Sequence, residues 1–297
     1  MIVVTGATGR TGRQVAELLL AKGEKVRAVG RDATKLSPLV ALGAEPFVGT
    51  VADLAFLIAA FAGAKGAYLV LPEDLSQPDL RAHQEQVSDC YAAAIANAQV
   101  KFVVSLSSIG AQHAEGTGPI VGLHNQEQKL NRVAGLNVLH LRAAYFMENL
   151  FTIMEPLRAT GTLPGGMRGD AAMPWIATKD IGAYAAKRLA ASDFFRTSTQ
   201  ELHGQRDIST NEAASIVGKA IGNPNLAYVQ LPSVVLEEAI LNVGLPQKTA
   251  KLIVEMWDGA NMGRIAPQEA RSARNTTPTT LESFVIDTFA PAYLHAV

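Results

Sequence analysis

The sequence is almost without cysteine: among 297 residues there is one, Cys90. No intrachain disulfide can form, and nothing calls for an oxidising compartment. Charge of one sign is not in excess either. Lys and Arg number 26 against 27 Asp and Glu, a net charge of −1, which argues against a general binder of phosphate backbones. Long apolar runs are missing. Ile2-Val3-Val4 gives way at once to Thr5-Gly6, too short for a signal sequence. The Ala-rich stretch Asp89 to Ala98 is too closely flanked by polar residues to cross a bilayer. The expectation is a soluble cytoplasmic protein with neither membrane nor nucleic acid as partner. His83, His113, His140, His203 and His295 show no ligand spacing with Cys or acids, so no metal is predicted.

What is abundant is apolar surface. Hydrophobic residues make up 48% and charged residues 18%, which excludes intrinsic disorder. The length suits one large domain or two intimate ones. Short β-branched runs at Ile2–Val4, Lys25–Val29, Glu45–Val48, Ala67–Leu71, Lys101–Leu106 and Asn137–Leu141 alternate with helical stretches at Arg13–Lys22, Lys35–Leu42, Leu54–Phe61, Pro78–Asn97 and Asn125–Val133. Several strands are continuous hydrophobic runs, as in Phe102-Val103-Val104, which suits a parallel sheet covered on both faces. The pattern predicts an α/β protein, a Rossmann-like doubly wound parallel sheet over residues 1–150. A smaller, mainly helical substrate lobe is expected over 151–297, with a return segment around 170–205 packing back on the sheet. The crowd of Pro156, Pro164, Gly165, Gly166, Gly169 and Pro174 reads as loops around a cleft, and Ala227–Gln230 as an extra strand.

Thr5-Gly6-Ala7-Thr8-Gly9-Arg10-Thr11-Gly12 follows the first strand and opens the first helix. That is the context a dinucleotide fingerprint requires. Gly6 allows the tight turn, Gly9 lets the backbone approach a pyrophosphate, and Gly12 lets the helix pack on the strand. The anion meets free amides and the positive end of the helix dipole. No Gly-Lys-Ser/Thr follows, which disfavours a P-loop. At the end of the second strand, where an NAD site places an acid, the sequence has Gly30-Arg31-Asp32. Arg31 suits a 2′-phosphate, with Arg10 approaching from the other side and Asp32 as a competitor for the ribose. NADP, with NADPH preferred over NADH, is the predicted cofactor. Thr8, Thr11, Val70, Leu71 and Pro72 complete the expected lining.

A further absence bears on chemistry. None of the six tyrosines has Lys at the fourth place after it: Pro72, Ile95, Asn149, Arg188, Pro232 and Val297 stand there. The Tyr-x-x-x-Lys proton donor of short-chain dehydrogenases is therefore missing, and ketone reduction, which makes a basic alkoxide, is disfavoured. Acceptors that give stabilised products need less help.

In combination these residues resemble the NmrA-like atypical short-chain dehydrogenase/reductases. Thr5 to Gly12 is similar to that family's opening loop. Gly30-Arg31-Asp32 sits at its Arg-Asn-Pro turn, and Val48-Gly49-Thr50-Val51-Ala52-Asp53 at its Gly-Asp stretch near adenine, with Thr50 in place of the acid. Val100 to Ser108 matches its fifth-strand segment. Leu141 to Asn149 resembles its Leu-Arg-Pro-x-x-Phe-Met-Glu-Asn signature, and Thr277 to Phe284 its Thr-Pro-Thr-Thr tail. The nearest pattern is the branch of NADPH quinone oxidoreductases and triphenylmethane or azo dye reductases. The resemblance implies that Thr50 and Val51 lie by adenine, and that His124 stands where the dehydrogenase lysine would, with Gln126 and Gln128 in place of the acids that commonly follow.

The candidate catalytic residues are thus His124 and Tyr145, with Ser107 and His124 also against the cofactor. Tyr145 and Phe146 follow the sixth strand at the sheet edge where ligands bind, and Met173-Pro174-Trp175 is a candidate wall for an aromatic substrate. Plain alternatives stand beside each: a surface histidine, a loop serine, core aromatics. Two functions remain open at this point. One is hydride transfer from NAD(P)H to a quinone or other electron-poor aromatic; the other is a non-catalytic NADP sensor acting through a protein partner. A monomer or homodimer fits either.

Overall fold

The computed structural model describes residues 1–295. In β1 (Ile2–Val4) neighbouring side chains enter opposite cores. Ile2 and Val4 join one cluster with Val15 and Leu19 of α1 (Arg10–Ala21), Leu36 of α2 (Ala33–Ala41) and Ile181 of α7 (Thr178–Ala191). Val3 joins the other, with Leu57 of α3 (Leu54–Phe61), Tyr91 of α4 (Leu80–Ala98) and Leu130 of α5 (Ile120–Asn131). Both faces are therefore covered, which is why β1 is apolar throughout. Each fully buried aliphatic side chain contributes roughly 1.5–3 kcal/mol.

The strands β1, β2 (Val26–Gly30), β3 (Glu45–Val48), β4 (Gly66–Leu69), β5 (Phe102–Ser108), β6 (Asn137–Ala143) and β10 (Thr197–Leu202) form one parallel sheet in the order β3-β2-β1-β4-β5-β6-β10. The chain reverses its direction of growth between β1 and β4, and ligands bind outside the strand ends at such a point. The segment 178–202 supplies α7, which packs on α1, and β10, which pairs with β6 from Thr197↔Val138 to Leu202↔Ala143. No strand was expected there, because Thr-Ser-Thr-Gln-Glu-Leu has no apolar pattern; an edge strand tolerates this.

The remaining elements are β7 (Tyr145–Phe146), a 3₁₀ turn at Met147–Ile153, α6 (Met154–Thr160), β8 (Leu163–Gly165), β9 (Ala172–Ile176), β11 (Asp207–Ser209), α8 (Thr210–Ile221), β12 (Tyr228–Gln230), α9 (Ser233–Asn242), α10 (Gln247–Asn261), α11 (Leu281–Phe284), a π-helical turn at Val285–Phe289 and α12 (Ala290–His295). β11-β9-β7 and β12-β8 are small separate sheets. The stretch expected to be loops thus holds β8 and β9, disguised by Pro164 and Pro174. Among the described residues no helix is long and apolar enough to cross a membrane, and no three His, Cys, Asp or Glu gather as a metal site.

His140 in β6 is 1% exposed and shares a 2.8 Å hydrogen bond with Asn131 Oδ1. Burial lowers its pKa to about 4, against the pull of Glu127 and with the help of Arg142. The unfolded chain takes up this proton first. The contribution is therefore complete above about pH 6.5 and is lost as pH falls toward 4, amounting to about 3 kcal/mol. Urea unfolding at a series of pH values should show a shallower decline for His140→Gln than for the parent; equal slopes would contradict this.

Candidate functional site

The switch point is stitched by side chains. Thr5 Oγ1 donates to the Tyr68 carbonyl at 3.1 Å and accepts from the Val70 amide at 3.0 Å. Tyr91, buried in α4, donates to the Val70 carbonyl at 2.8 Å and lies 3.1 Å from Thr5 Oγ1. The ends of β1 and β4 are fixed before any ligand arrives. Gly6 then turns with φ +59°, a conformation L side chains rarely adopt. At Gly12 a Cβ would lie 2.2 Å from the Gly6 carbonyl oxygen, so α1 meets the loop at a distance only glycine permits. The helix begins at Arg10, inside the loop, rather than at Arg13. α2, α3 and α4 are capped by Asp32, Asp53 and Asp79, whereas α1 starts at Gly9 with no capping side chain. The amides of Arg10, Thr11 and Gly12 have no acceptor among the described residues. This cradle fits a pyrophosphate.

On the β2 side the methyl of Thr8 rests over Gly30, where a Cβ would come within 3.2 Å of it. Asp32 accepts from the Thr34 and Lys35 amides at 2.8 and 3.3 Å. One of its carboxylate oxygens, Oδ1, thus caps α2. Arg31 is 75% exposed, with one ionic neighbour, Asp74, at 3.6 Å. Arg10 leans toward the C-terminal half instead of joining it: its guanidinium lies 5.8 Å from the Phe151 ring. Thr50 and Val51 follow β3, whose end is held by the Gly49 amide on the Gly30 carbonyl at 3.0 Å. Val70, Leu71 and Pro72 follow β4, opposite the glycine loop.

The expected reaction end divides. Ser107 is buried and donates a hydrogen bond to Glu127 at 2.6 Å; Glu127 also accepts from both arms of Arg142, at 3.0 and 2.6 Å. This serine braces β5, β6 and α5 rather than offering its hydroxyl to a cofactor. Gln126 donates to Ser105 at 2.9 Å, a second clamp on the same helix. His124 is thereby held with Nδ1 2.8 Å from the Ala111 carbonyl. A carbonyl only accepts, so the proton is on Nδ1 and Nε2 is left available.

Tyr145 is half-buried, edge-on to Trp175 at 4.8 Å and tilted against Trp257 at 5.9 Å. Burial raises its phenol well above the ordinary value, with the Asn149 side chain opposing, so it stays protonated at neutral pH. Trp175 is 2% exposed and its indole N–H is spent on the Ile208 carbonyl at 3.0 Å. It packs behind Tyr145 and is not a cleft wall. The second ring beside Tyr145 is Trp257, on α10. It lies so close to Gly166 that a Cβ there would be 2.7 Å away. Nothing in the sequence singles out Trp257 except being the other tryptophan. Phe146 is half-buried against the first core. Surface cavities of about 340 and 230 Å³ lie against α10, the smaller one lined by Met173 and Pro174. Neither touches the glycine loop, His124 or Tyr145, so the site is defined by the sheet edge.

The family-like motifs of the second half have architectural duties. Glu148 accepts from the Thr178 amide at 3.0 Å and its hydroxyl at 2.6 Å, capping α7. Asp180 accepts from the Thr279 amide at 3.0 Å and its hydroxyl at 2.9 Å, tying the Thr-Pro-Thr-Thr tail to the same helix.

A doubly wound sheet with a glycine cradle and an uncapped helix at its switch point is the architecture of a dinucleotide-binding protein. The chain belongs to the NmrA-like family, whose model matches residues 1–285. It is 26% identical over 257 residues to an NAD(P)H azoreductase of Xenophilus azovorans, covering 86% of each chain. It is 28% identical over 268 residues, 89% of each, to quinone oxidoreductase 2 of Escherichia coli. The structure of NADPH-dependent quinone oxidoreductase from that organism, complexed with NADPH, superposes with a TM-score of 0.77 at 23% identity over 100% of this chain and 99% of that one.

Proposed function

We propose that this protein is an NADPH-dependent reductase of quinones or related electron-poor aromatics. Three features support the choice of acceptor: Tyr145 and Trp257 form an aromatic pair, His124 is tied through Nδ1 to a backbone carbonyl, and no tyrosine is followed by lysine at the fourth place. Curated relatives named for azo and quinone reduction support it. The glycine loop would hold the pyrophosphate and Arg31 the 2′-phosphate. NADPH supplies a hydride when bound.

This chain's own residues then position the acceptor. Tyr145 and Trp257 offer ring faces and edges that suit a flat acceptor. His124 Nε2 accepts a hydrogen bond from a ribose or substrate hydroxyl. A quinone that gains hydride becomes a phenolate-type anion, the conjugate base of an acid with pKa ~10, and water can protonate it. A simple ketone would need a far stronger donor. NADPH oxidation should therefore be rapid with benzoquinone and negligible with cyclohexanone in stopped flow. His124→Ala should lower quinone turnover by less than the ~10²–10⁴-fold expected for a lost general acid. Efficient ketone reduction would refute the reading. Tight NADPH binding with no turnover of any acceptor would favour the sensor.

A further inference from the structure

We propose that Asp74 sets the cofactor preference of the site by competing for Arg31, the side chain a 2′-phosphate would otherwise engage alone. The proposal rests on the dinucleotide reading of the cleft and not on the choice of acceptor. Arg31 follows β2 and Asp74 follows β4, and β1 lies between those strands. Their contact, Arg31 Nη1 to Asp74 Oδ2 at 3.6 Å, therefore bridges the mouth of the glycine loop.

The two ends of the bridge differ in freedom. The Arg31 side chain is 75% exposed and Asp74 21%. Asp74 is pinned by Ser76 Oγ at 2.7 Å and Gln77 Nε2 at 3.0 Å, and the Gln77 amide closes a turn on the Asp74 carbonyl at 3.1 Å. Those side-chain hydrogen bonds hold its carboxyl below the usual range, so it is an anion at neutral pH. A fixed anion thus faces a mobile cation. A 2′-phosphate on Arg31 must displace Asp74 or share the guanidinium with it, with like charges a few ångströms apart. An NADH ribose carries no such charge. The consequence is a site that accepts NADPH with reduced advantage over NADH. Asp32, the other acid near that position, caps α2 through Oδ1 and forms no ion pair with Arg31 among the described residues.

The test is binding without any acceptor: titration of nucleotide fluorescence with NADPH and with NADH for the parent, Asp74→Asn, Arg31→Ala and the double variant. Asn at 74 retains an acceptor for the turn, and thermal melting checks that each variant is folded. Asp74→Asn should tighten NADPH about three- to tenfold and NADH by less than about twofold, with the gain shrinking at raised salt because both groups are near the surface. Arg31→Ala should weaken NADPH about tenfold or more and leave NADH nearly unchanged. In the Arg31→Ala background Asp74→Asn should bring no gain, since nothing remains to compete for. An unchanged NADPH-to-NADH ratio in Asp74→Asn, or a gain of the same size in both backgrounds, would overturn the proposal. If the folded parent bound neither nucleotide, the dinucleotide reading would fall with it; an absence of turnover would leave this titration standing.

Discussion

Gly9→Val should abolish dinucleotide binding in a protein that still folds. Gly9 has φ −87° and ψ 174°, extended backbone that any residue adopts, so its conformation does not call for glycine. Its ideal Cβ would lie 3.2 Å from the Gly6 carbonyl oxygen, a contact relieved by a small shift. What a branched side chain does occupy is the space in front of the Arg10, Thr11 and Gly12 amides. Losing two hydrogen bonds to a charged group, each ~1.5–3 kcal/mol, weakens NADPH by about 100-fold or more. Calorimetric titration with melting curves checks both halves of the expectation, and parental affinity would move the ligand elsewhere. Gly12→Ala provides the contrast: with 2.2 Å to the Gly6 oxygen, it should cost stability as well as binding.

Glu127→Ala is expected to destabilise the fold by about 3–5 kcal/mol. Glu127 is 2% exposed and receives Ser107 and both arms of Arg142. Its removal leaves a largely buried guanidinium and a buried hydroxyl without their acceptor. Replacing both charges, as in Glu127→Leu with Arg142→Met, should recover most of the loss, because the desolvation of the pair is removed together with its attraction. Urea unfolding of the two single variants and the double would decide; a double variant as unstable as the sum of the singles would refute it.

The first half of the fold was legible because the central strands lie between two cores and so read as continuous apolar runs. Runs such as Phe102-Val103-Val104 are local signals that tertiary contacts do not override. The glycine loop was legible for a similar reason, since Gly6 and Gly12 answer steric demands within their own segment. The reaction end was less so. Ser107 and Trp175 are residue types that serve sites, yet their polar atoms are taken by Glu127 and by the Ile208 carbonyl, partners distant in sequence. Trp257 reaches Tyr145 from α10, and no local pattern reports such a meeting. β10 was missed because its buried polar residues, Gln200 and Glu201, are satisfied by hydrogen bonds rather than by apolar neighbours.

The placement of β10 and α7 has a consequence for how the chain is made. Until residue 202 has left the ribosome, β6 has an unpaired edge, and without α7 the face of α1 that carries Gln14, pressed against Gly182 in the finished structure, is uncovered. The sheet that holds the glycine loop is thus completed late, by contacts between segments far apart along the chain. Such contacts close slowly, and an open strand edge is a template for pairing with another nascent chain. The clamps on α7 add a further delay. Glu148 secures one side of its first turn, but Asp180 waits for Thr279, 99 residues further along the chain. A ribosome stalled before Thr279 has emerged would therefore carry a molecule whose nucleotide cradle is already built but whose seventh helix is not yet fastened.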